Sequence, residues 1–524
     1  MNEPAVDRAV GADAEKPVTV NKSIARALLF ADDLAIPAGN LDDMRRALKA
    51  IEKHSIKWRW FSNESKSKVM YVPGRGNSTQ AKSPLKLPNL ELNGVTLGWV
   101  NSYEYLGLKF TRDLSWGDHI LGMIKKATVR ANLWKPLFML RHLSRKSRLI
   151  FYTAMIRPLL EYASSVWTPN TKQADALEAV QLMCLRWIIP CQLSTPAHAI
   201  RAELGILSLE ARRMKLEMSY YFDIRHFYDP NLLAFKAGTW KTKCTTAGKL
   251  PKGHNRILAE NTIDELELQN HPSIVAFRSR PRTVARAYSS LPELKNRSQH
   301  NDFRAEVEEK VFEYEKKGWL KALSSSRFDL LRSELAEISE PQRWFHTGEY
   351  GALIKFRLRT DTLGLGKTFE NGTLKVTPCP MCGDKETTVH FLAECPSLKD
   401  RRDELREQHP ALIEEGAELA GKLLSCNHAL AMHSRAREEW ITRVHKYLID
   451  CWKQRGEALE LVKEPEPPAP QRPPPSRVWQ PSIRNMFNID ARNVQRPINI
   501  ASSGSPSSPS SFMDGVNGNN SARA

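Results

Sequence analysis

The sequence predicts an α+β fold, in which strands lie near the N-terminus and helices occupy most of the remainder. Short apolar runs separated by turn residues fill the region up to residue 112, a pattern typical of strands. From residue 119 onward, apolar residues recur at helical spacing. A group of Cys and His residues near residue 390 predicts a small metal-bound segment among the helices.

Composition points to an intracellular protein with a polyanionic partner. The chain of 524 residues carries a net charge of +18 and has a pI of about 9.5, which favours binding to nucleic acid. Most of its eight Cys are scattered, which argues against a disulfide framework and indicates a reducing compartment. The sequence contains no apolar run typical of a secretion signal or a membrane span. We therefore expect a protein of the nucleus, the cytoplasm or both.

The first candidate site lies at residues 26–36, where Asp32 and Asp33 interrupt an apolar run that ends before Pro37. The run predicts a strand, a tight turn and a second strand. Two adjacent carboxylates in a buried hairpin are costly unless a cation binds them, and Mg²⁺ is the usual cation for oxygen ligands. The alternative is a surface turn that contains Asp-Asp without a ligand.

Local signals define further elements of this N-terminal region. Asn40 is a typical helix N-cap, so Asp42 and Asp43 are expected to stabilise the positive end of that helix rather than bind a metal. Asn93-Gly94 lies between apolar residues and predicts a β-hairpin. A strand over residues 68–72 is expected to pack beside the hairpin that carries the two aspartates.

The stretch from His119 to Leu160 contains nine Lys or Arg residues and no Asp or Glu. Apolar residues at helical spacing predict a helical bundle here, with Ser144 as an N-cap. Because charge of one sign repels itself unless a polyanion lies close, we predict contacts with the backbone of a duplex; the alternative is a solvated helical face. The cations are Lys125, Lys126, Arg130, Lys135, Arg141, Arg145, Lys146, Arg148 and Arg157.

The Cys and His residues near residue 390 form the pattern C-x2-C-x7-H-x4-C. The paired Cys, with Gly383 behind them, form a knuckle whose two thiolates point at one tetrahedral ion, and a following helical turn supplies the other two ligands. Protein fills all four positions, so the pattern predicts a structural Zn²⁺ without an open coordination site. The predicted ligands are Cys379, Cys382, His390 and Cys395.

Several short motifs occur in a specific order along the chain. Phe30-Ala31-Asp32-Asp33 is followed by Asn63 and Lys66, then by Tyr105-Leu106-Gly107, and then by Trp116 and His119-Ile120. Together they resemble the C-terminal part of a reverse transcriptase from a non-LTR (LINE-like) retrotransposon. The segments that flank the Cys and His pattern resemble the C-terminal region of the same proteins.

The resemblance implies a role for each matched residue. Asp32 and Asp33 would bind Mg²⁺ as part of a two-metal site. Lys66 would face the nucleoside triphosphate, although it is equally a solvated lysine at a strand end. Tyr105, Leu106 and Gly107 would hold the primer. The cations of the bundle would contact the primer and template, and those we assign are Lys125, Lys126, Arg130, Arg145, Lys146 and Arg148.

The resemblance also implies a domain organisation. We expect a partial reverse-transcriptase palm, a helical thumb, a helical connector, a zinc-knuckle region and a final helical segment, with a disordered leader and tail. In the tail, Gln480, Ile483 and Phe487 resemble a box that binds a sliding clamp, or they form some other docking peptide. In chain order the predicted parts are 1–20 (leader), 21–112 (palm), 113–215 (thumb), 216–345 (connector), 346–400 (zinc knuckle), 401–463 (helical) and 464–524 (tail).

The sequence leaves two functions open. In reverse transcriptases of this family, another metal-binding Asp lies well before the Asp-Asp hairpin, and the only earlier aspartates here, Asp7 and Asp13, lack an apolar strand context. Because two-metal nucleotidyl transfer needs carboxylates that clamp both ions, we expect this chain alone not to polymerise. It is either part of an RNA-directed DNA polymerase acting on an RNA template and a DNA primer, or a non-catalytic protein that binds nucleic acid through its basic bundle and zinc knuckle.

Overall fold

The computed structural model contains helices and small two-stranded sheets, which is compatible with the predicted α+β fold. The predicted tail, with Gln480, Ile483 and Phe487, lies outside the described residues, as do the first 17 residues of the predicted leader. The structure describes residues 18–20, 23–25, 27–73, 87–140, 142–226, 262–270, 297–325, 328–338, 350–370 and 373–459.

The N-terminal region packs several two-stranded sheets around one long helix. Antiparallel pairs form between β1 and β2, β3 and β4, β6 and β7, and β9 and β10, whereas β5 pairs with β8 in parallel. The core joins Leu48 and Ile51 of the helix to Leu90, Leu92 and Leu97. The elements are β1 (Val18–Val20), β2 (Ser23–Ala25), β3 (Leu28–Phe30), β4 (Asp33–Ala35), α1 (Leu41–Trp58), β5 (Lys68–Val69), β6 (Glu91–Leu92), β7 (Val95–Thr96), β8 (Gly98–Trp99), β9 (Ser102–Tyr105) and β10 (Leu108–Thr111).

Two of the local predictions for this region are confirmed. The Asn40 side chain accepts a hydrogen bond from the backbone N–H of Asp43, so Asn40 is the N-cap of α1. The turn between β6 and β7 is formed by Asn93 and Gly94, whose φ angles of 52° and 74° are those of a tight hairpin turn. Both signals act over a few residues, so the surrounding fold cannot easily override them.

Two other predictions for this region are wrong in detail. The predicted leader 1–20 ends in strand β1, which pairs with β2. The strand expected over 68–72 is only two residues long, and it pairs with β8. Val69 nevertheless reaches the same core as the hairpin of the two aspartates, so the two segments are joined by side-chain packing.

A helical bundle follows the strands. Its core contains Leu177, Cys184 and Ile188 together with the buried rings of Tyr152 and Trp167. Ser144 accepts a hydrogen bond from the backbone N–H of Ser147 and is the predicted N-cap. The elements are α2 (Gly117–Phe138), α3 (Arg145–Phe151), a π-helical turn (Tyr152–Ile156), α4 (Arg157–Glu161), α5 (Thr171–Ile188), α6 (Ala197–Leu204) and α7 (Leu209–His226).

The C-terminal half is also helical, with one hairpin before the Cys and His residues. The helix α10 (Tyr350–Arg359) contributes Leu353 and Phe356 to the core of the bundle and Ile354 and Leu358 to a second core around the Cys and His residues. The elements are α8 (Arg297–Ala322), α9 (Asp329–Glu337), α10 (Tyr350–Arg359), β11 (Lys367–Glu370), β12 (Thr373–Val376), a π-helical turn (His390–Glu394), a 3₁₀ turn (Pro396–Leu398), α11 (Lys399–Gln408), α12 (Gly416–Leu424), α13 (Asn427–Leu430) and α14 (Ser434–Ala458).

Within the described residues, no helix combines the length and the apolar character that crossing a bilayer requires.

Candidate nucleic-acid interface and metal centre

Asp32 and Asp33 lie at the turn of the predicted hairpin, but they are exposed rather than buried. Phe30 pairs with Asp33 across the two strands, so both side chains point to the same face. Leu29 and Leu34 occupy the opposite face and pack against the core of α1. The expectation of a buried acidic hairpin is therefore wrong, because only one face of this two-stranded sheet is covered, and Phe30 remains 64% exposed on the other.

The two aspartates do not form a complete two-metal site from the part of the chain that is described. Among those residues, no third carboxylate, Cys or His approaches Asp32 and Asp33 closely enough to share an ion. Asp43, in the first turn of α1, is buried and bound to Asn40 and Arg46, as its predicted capping role requires. Two carboxylates alone do not fit the ligand set that two Mg²⁺ ions need.

The β9–β10 hairpin lies against both the acidic hairpin and Lys66. The hydroxyl of Tyr105 approaches the carbonyl oxygen of Leu28 at 3.5 Å, and the hydroxyl of Tyr103 donates to the carbonyl oxygen of Lys66 at 3.3 Å. Burial raises the pKa of Tyr105, and the carboxylate of Asp33 adds to this effect. The structure thus places Tyr105 near Asp33 and Tyr103 near Lys66, although the motifs are separated by up to 77 residues.

The turn of this hairpin is formed by Leu106 and Gly107, with φ angles of 50° and 75°. The hydroxyl of Tyr162, at the end of α4, donates to the carbonyl oxygen of Leu106 at 2.8 Å. The φ of Gly107 favours Gly, and an added Cβ would also lie in tight contact with the Tyr162 ring, at 3.1 Å. No motif in the sequence pointed to Tyr162, and 56 residues separate it from Leu106.

A row of aromatic rings connects the same hairpin to the bundle. Phe110 of β10 contacts Trp116, Trp116 contacts His119, and His119 contacts Trp167, with centroids 5.6 to 6.1 Å apart. The backbone N–H of Lys109 donates to Nδ1 of His119 at 3.3 Å. Burial lowers the pKa of His119, which favours the neutral ring that accepts this bond.

The outward face of α2 carries Lys125, Lys126 and Arg130, all of them exposed. Nζ of Lys126 lies 3.8 Å from a carboxylate oxygen of Glu104 on β9, so this face begins beside the β9–β10 hairpin. Lys146 is also exposed, at the start of α3. These four side chains are free to approach a polyanion, since surface pairs such as Lys126 with Glu104 contribute little.

Arg145 and Arg148 differ from the other cations that the sequence assigned to phosphate contact. Their side chains are buried, with exposed fractions of 3% and 5%, and Nη1 of Arg148 donates to the carbonyl oxygen of Phe138 at 2.9 Å. Burial also lowers the pKa of Arg148. The prediction that these two contact phosphate is corrected, because both side chains are buried and Arg148 is bound to the end of α2.

The four predicted zinc ligands come together in one place. Sγ of Cys379 lies 3.9 Å from Sγ of Cys395, which is 3.9 Å from Sγ of Cys382, and Nε2 of His390 lies 3.2 Å from Sγ of Cys382. All four donor atoms lie within 4.8 Å of one another. A tetrahedral Zn²⁺ with Zn–S bonds of about 2.3 Å separates its sulfur ligands by roughly 3.8 Å, so the arrangement fits zinc.

The surrounding chain fixes these ligands in position. Gly383 has a φ of 87°, and its N–H donates to the carbonyl oxygen of Cys379 at 2.8 Å, which closes the knuckle. Nη1 of Arg402 on α11 donates to the carbonyl oxygen of Cys395 at 2.8 Å. Arg455 of α14 forms two hydrogen bonds with the buried Glu386 inside the knuckle, at 2.6 and 2.8 Å. These bonds therefore tie the knuckle to α11 and α14.

Comparison with known proteins provides one point of reference. No protein-family model matches the chain. The chain is 22% identical over 217 residues to an RNA-directed DNA polymerase from the mobile element jockey of Drosophila funebris. The match covers 40% of this chain and 23% of that protein, so the chain spans about a quarter of the length of the relative that it matches. This similarity supports a distant relationship between the chain and the reverse transcriptases of LINE-like mobile elements.

Proposed function

We propose that the chain is a part of a reverse transcriptase that holds nucleic acid and that does not polymerise by itself. The observation that carries the proposal is the exposed cationic face of α2 beside the β9–β10 hairpin. Lys126 and Arg130 lie one helical turn apart and Lys125 directly precedes Lys126, so all three exposed side chains can contact phosphates of a bound strand. The distant similarity to a mobile-element polymerase supports a bound RNA template and DNA primer.

The proposed roles of the individual residues follow from where they lie around the β9–β10 hairpin. The β9–β10 hairpin lies between the acidic turn and the bundle, so its turn residues, Leu106 and Gly107, would support the end of a primer. Lys66 and Tyr105 lie on the acidic side of this hairpin. The described residues give Asp32 and Asp33 no further carboxylate, so a complete ion set needs a ligand from outside these residues.

The Cys and His centre is proposed to bind Zn²⁺ as a structural ion. All four ligand positions are protein atoms, and burial raises the pKa of the Cys395 thiol. Bound zinc would nevertheless hold its Cys ligands as thiolates. The ion would fix the knuckle between α11 and α14, and it offers no position for a reacting group.

The non-catalytic alternative is favoured by the same two features, the cationic face and the closed metal centre. It differs from the first proposal only in whether the acidic turn still takes part in polymerisation when the missing ligand is supplied. Both proposals require the bundle to bind a duplex.

The binding step is tested by measuring the affinity of the full chain for a short RNA–DNA duplex across a series of salt concentrations. We expect a steep fall with salt, because phosphate contacts release counterions. Reversing Lys125, Lys126 and Arg130 to Glu should weaken binding and reduce the salt slope by about three, roughly one for each lost phosphate contact.

A matched control carries the same change of net charge elsewhere. Lys53→Glu, Lys399→Glu and Arg435→Glu alter exposed residues on α1, α11 and α14, away from α2. This variant should keep most of the wild-type slope. Equal losses in the two variants would mean that net charge, rather than the face of α2, governs binding, and a flat response of the wild type would refute phosphate contact altogether.

A further inference from the structure

We propose that Tyr162 is a positioning residue that attaches the Leu106–Gly107 turn to the bundle and so sets where this turn meets a primer end. The inference rests on the proposed function and adds a residue that no motif assigned. Its basis is a direct contact between two segments far apart in the sequence, at the point where the β9–β10 hairpin turns.

The contact has two parts that require different features of Tyr162. The hydroxyl donates to the carbonyl oxygen of Leu106 at 2.8 Å. The ring lies against Gly107, where an added Cβ would be 3.1 Å from Cε1 and 3.4 Å from the hydroxyl oxygen. A residue with a ring but no hydroxyl would keep the second part and lose the first.

The backbone conformation of the turn explains why the hydrogen bond from Tyr162 matters. Leu106 has a φ of 50°, a conformation that side chains such as Leu rarely adopt and that persists only where the surroundings impose it. The bond from Tyr162 holds the carbonyl group of this strained residue. Strain of this kind concentrates at sites where the backbone must be held in one place.

Tyr162 is itself fixed in position by a contact with the core of the bundle. Its carbonyl oxygen accepts a hydrogen bond from Nε1 of Trp167 at 2.8 Å, and Trp167 is 1% exposed in the core of the bundle. Trp167 also contacts His119, which accepts the bond from the backbone of Lys109 on the same hairpin. Tyr162 therefore connects the bundle to the turn of the hairpin, and His119 connects it to strand β10.

The other side of the hairpin faces the acidic turn. Tyr105 is adjacent to Leu106 in the chain, and its hydroxyl lies 3.5 Å from the carbonyl oxygen of Leu28. A shift of the turn would therefore change the distance between the turn and Asp33. Fixing the turn to the bundle fixes both the support for a primer end and its separation from the acidic residues.

The test compares Tyr162→Phe with Tyr103→Phe, which removes a hydroxyl that donates to a backbone carbonyl at the other end of the same hairpin. The first readout is amide hydrogen exchange across residues 105–108 in the free chain. Tyr162→Phe should speed exchange by about fivefold, the effect of one lost hydrogen bond, and Tyr103→Phe should leave it near the wild-type rate.

The second readout is affinity for an RNA–DNA duplex with a recessed DNA 3′ end relative to the same duplex with blunt ends. The wild type should prefer the recessed end, and Tyr162→Phe should lose about fivefold on that substrate while binding the blunt duplex as before. Tyr103→Phe should keep the preference.

The outcomes separate the inference from the function on which it rests. A wild type that binds neither duplex would refute the proposed function and, with it, the role at a primer end. A wild type that binds both duplexes equally would refute this role of the turn. Unchanged exchange and an unchanged end preference in Tyr162→Phe would refute the inference alone.

Discussion

Glu217 lies on α7, where one of its carboxyl oxygens is buried without a hydrogen-bond partner among the described residues and the other accepts from the hydroxyl of Thr262 at 3.4 Å. Burial raises the pKa of Glu217 from 4.5 to about 7, and Arg213 opposes this only in part. Its charge therefore opposes folding rather than supporting it. Glu217 thus shows that a charged side chain in the bundle can be present without binding a ligand.

The sign of the pH dependence follows directly. Below pH 4.5 the carboxyl is protonated in both the folded and the unfolded chain. As the pH rises towards 7, the unfolded chain ionises first, so the free energy of unfolding falls. Glu217→Gln removes this loss and should therefore raise the melting temperature at pH 8. The free energy of unfolding should rise by roughly 3 kcal/mol at most, and this gain should disappear towards pH 4.5.

The exposed Glu267, which lies 3.2 Å from Lys317, provides the control. Glu267→Gln should change the melting temperature little at either pH, because exposed ion pairs contribute little. A Glu217→Gln variant whose gain is the same at pH 5 and pH 8 would show that packing, rather than the ionisation of Glu217, sets the difference.

At the level of residues, the sequence predicted what depends on near neighbours. Asn40, Asn93-Gly94 and the C-x2-C spacing each specify geometry within a few positions, and each forms as expected. Arg145 and Arg148 were misjudged because a run of cations gives no information on which side chains face inward. Tyr162 was missed for a related reason, since its contact with Leu106 exists only after the bundle has folded.

At the level of elements, α10 is the segment on which the two main cores meet. Its Gly351 packs so closely on α14 that a Cβ would lie 2.7 Å from Cα of His445 and 2.8 Å from its carbonyl oxygen. Arg359 at the other end of α10 is buried and bound to Glu203 of α6 and Glu334 of α9, each at 2.6 Å. The sequence placed this stretch in the zinc-knuckle region 346–400 and did not predict the arrangement, because sequence patterns do not specify the partner helix.

Gly351→Ala should therefore destabilise the chain. The new methyl group meets backbone atoms that cannot rotate away, so α10 and α14 must move apart at a cost of about 1–3 kcal/mol. Gly122→Ala in α2 is the matched control, since no atom lies within 4 Å of its added Cβ. That variant should be stabilised by roughly 0.5–1 kcal/mol through helix propensity. Thermal melting of both variants provides the comparison, and an unchanged Gly351→Ala would contradict the close packing of these helices.

At the scale of the whole molecule, the metal centre and the bundle are joined through α10, because this helix contributes side chains to both cores. The order of the motifs predicted the sequence of parts along the chain, whereas it did not predict that the bundle and the Cys and His region share a helix. The predicted domain boundaries remain predictions, since packing across α10 does not locate them.

Removing zinc should loosen the centre first. Cys395→Ser or a strong chelator should abolish bound zinc, increase amide exchange over residues 379–398 and lower the melting temperature, because the ligands no longer hold the knuckle. Cys191→Ser, in the bundle, should retain one zinc per chain. A wild-type chain that contains no zinc and melts at the same temperature as Cys395→Ser would contradict the proposed zinc site.

The central claim is that the chain holds nucleic acid while its described carboxylates do not complete a two-metal site. Primer extension by the full chain on an RNA template, with Mg²⁺ and deoxynucleoside triphosphates, tests it most directly. We expect no extension above background by either the wild type or Asp32→Ala, under conditions in which the wild type binds the primed template. Extension by the wild type that Asp32→Ala abolishes would contradict the claim.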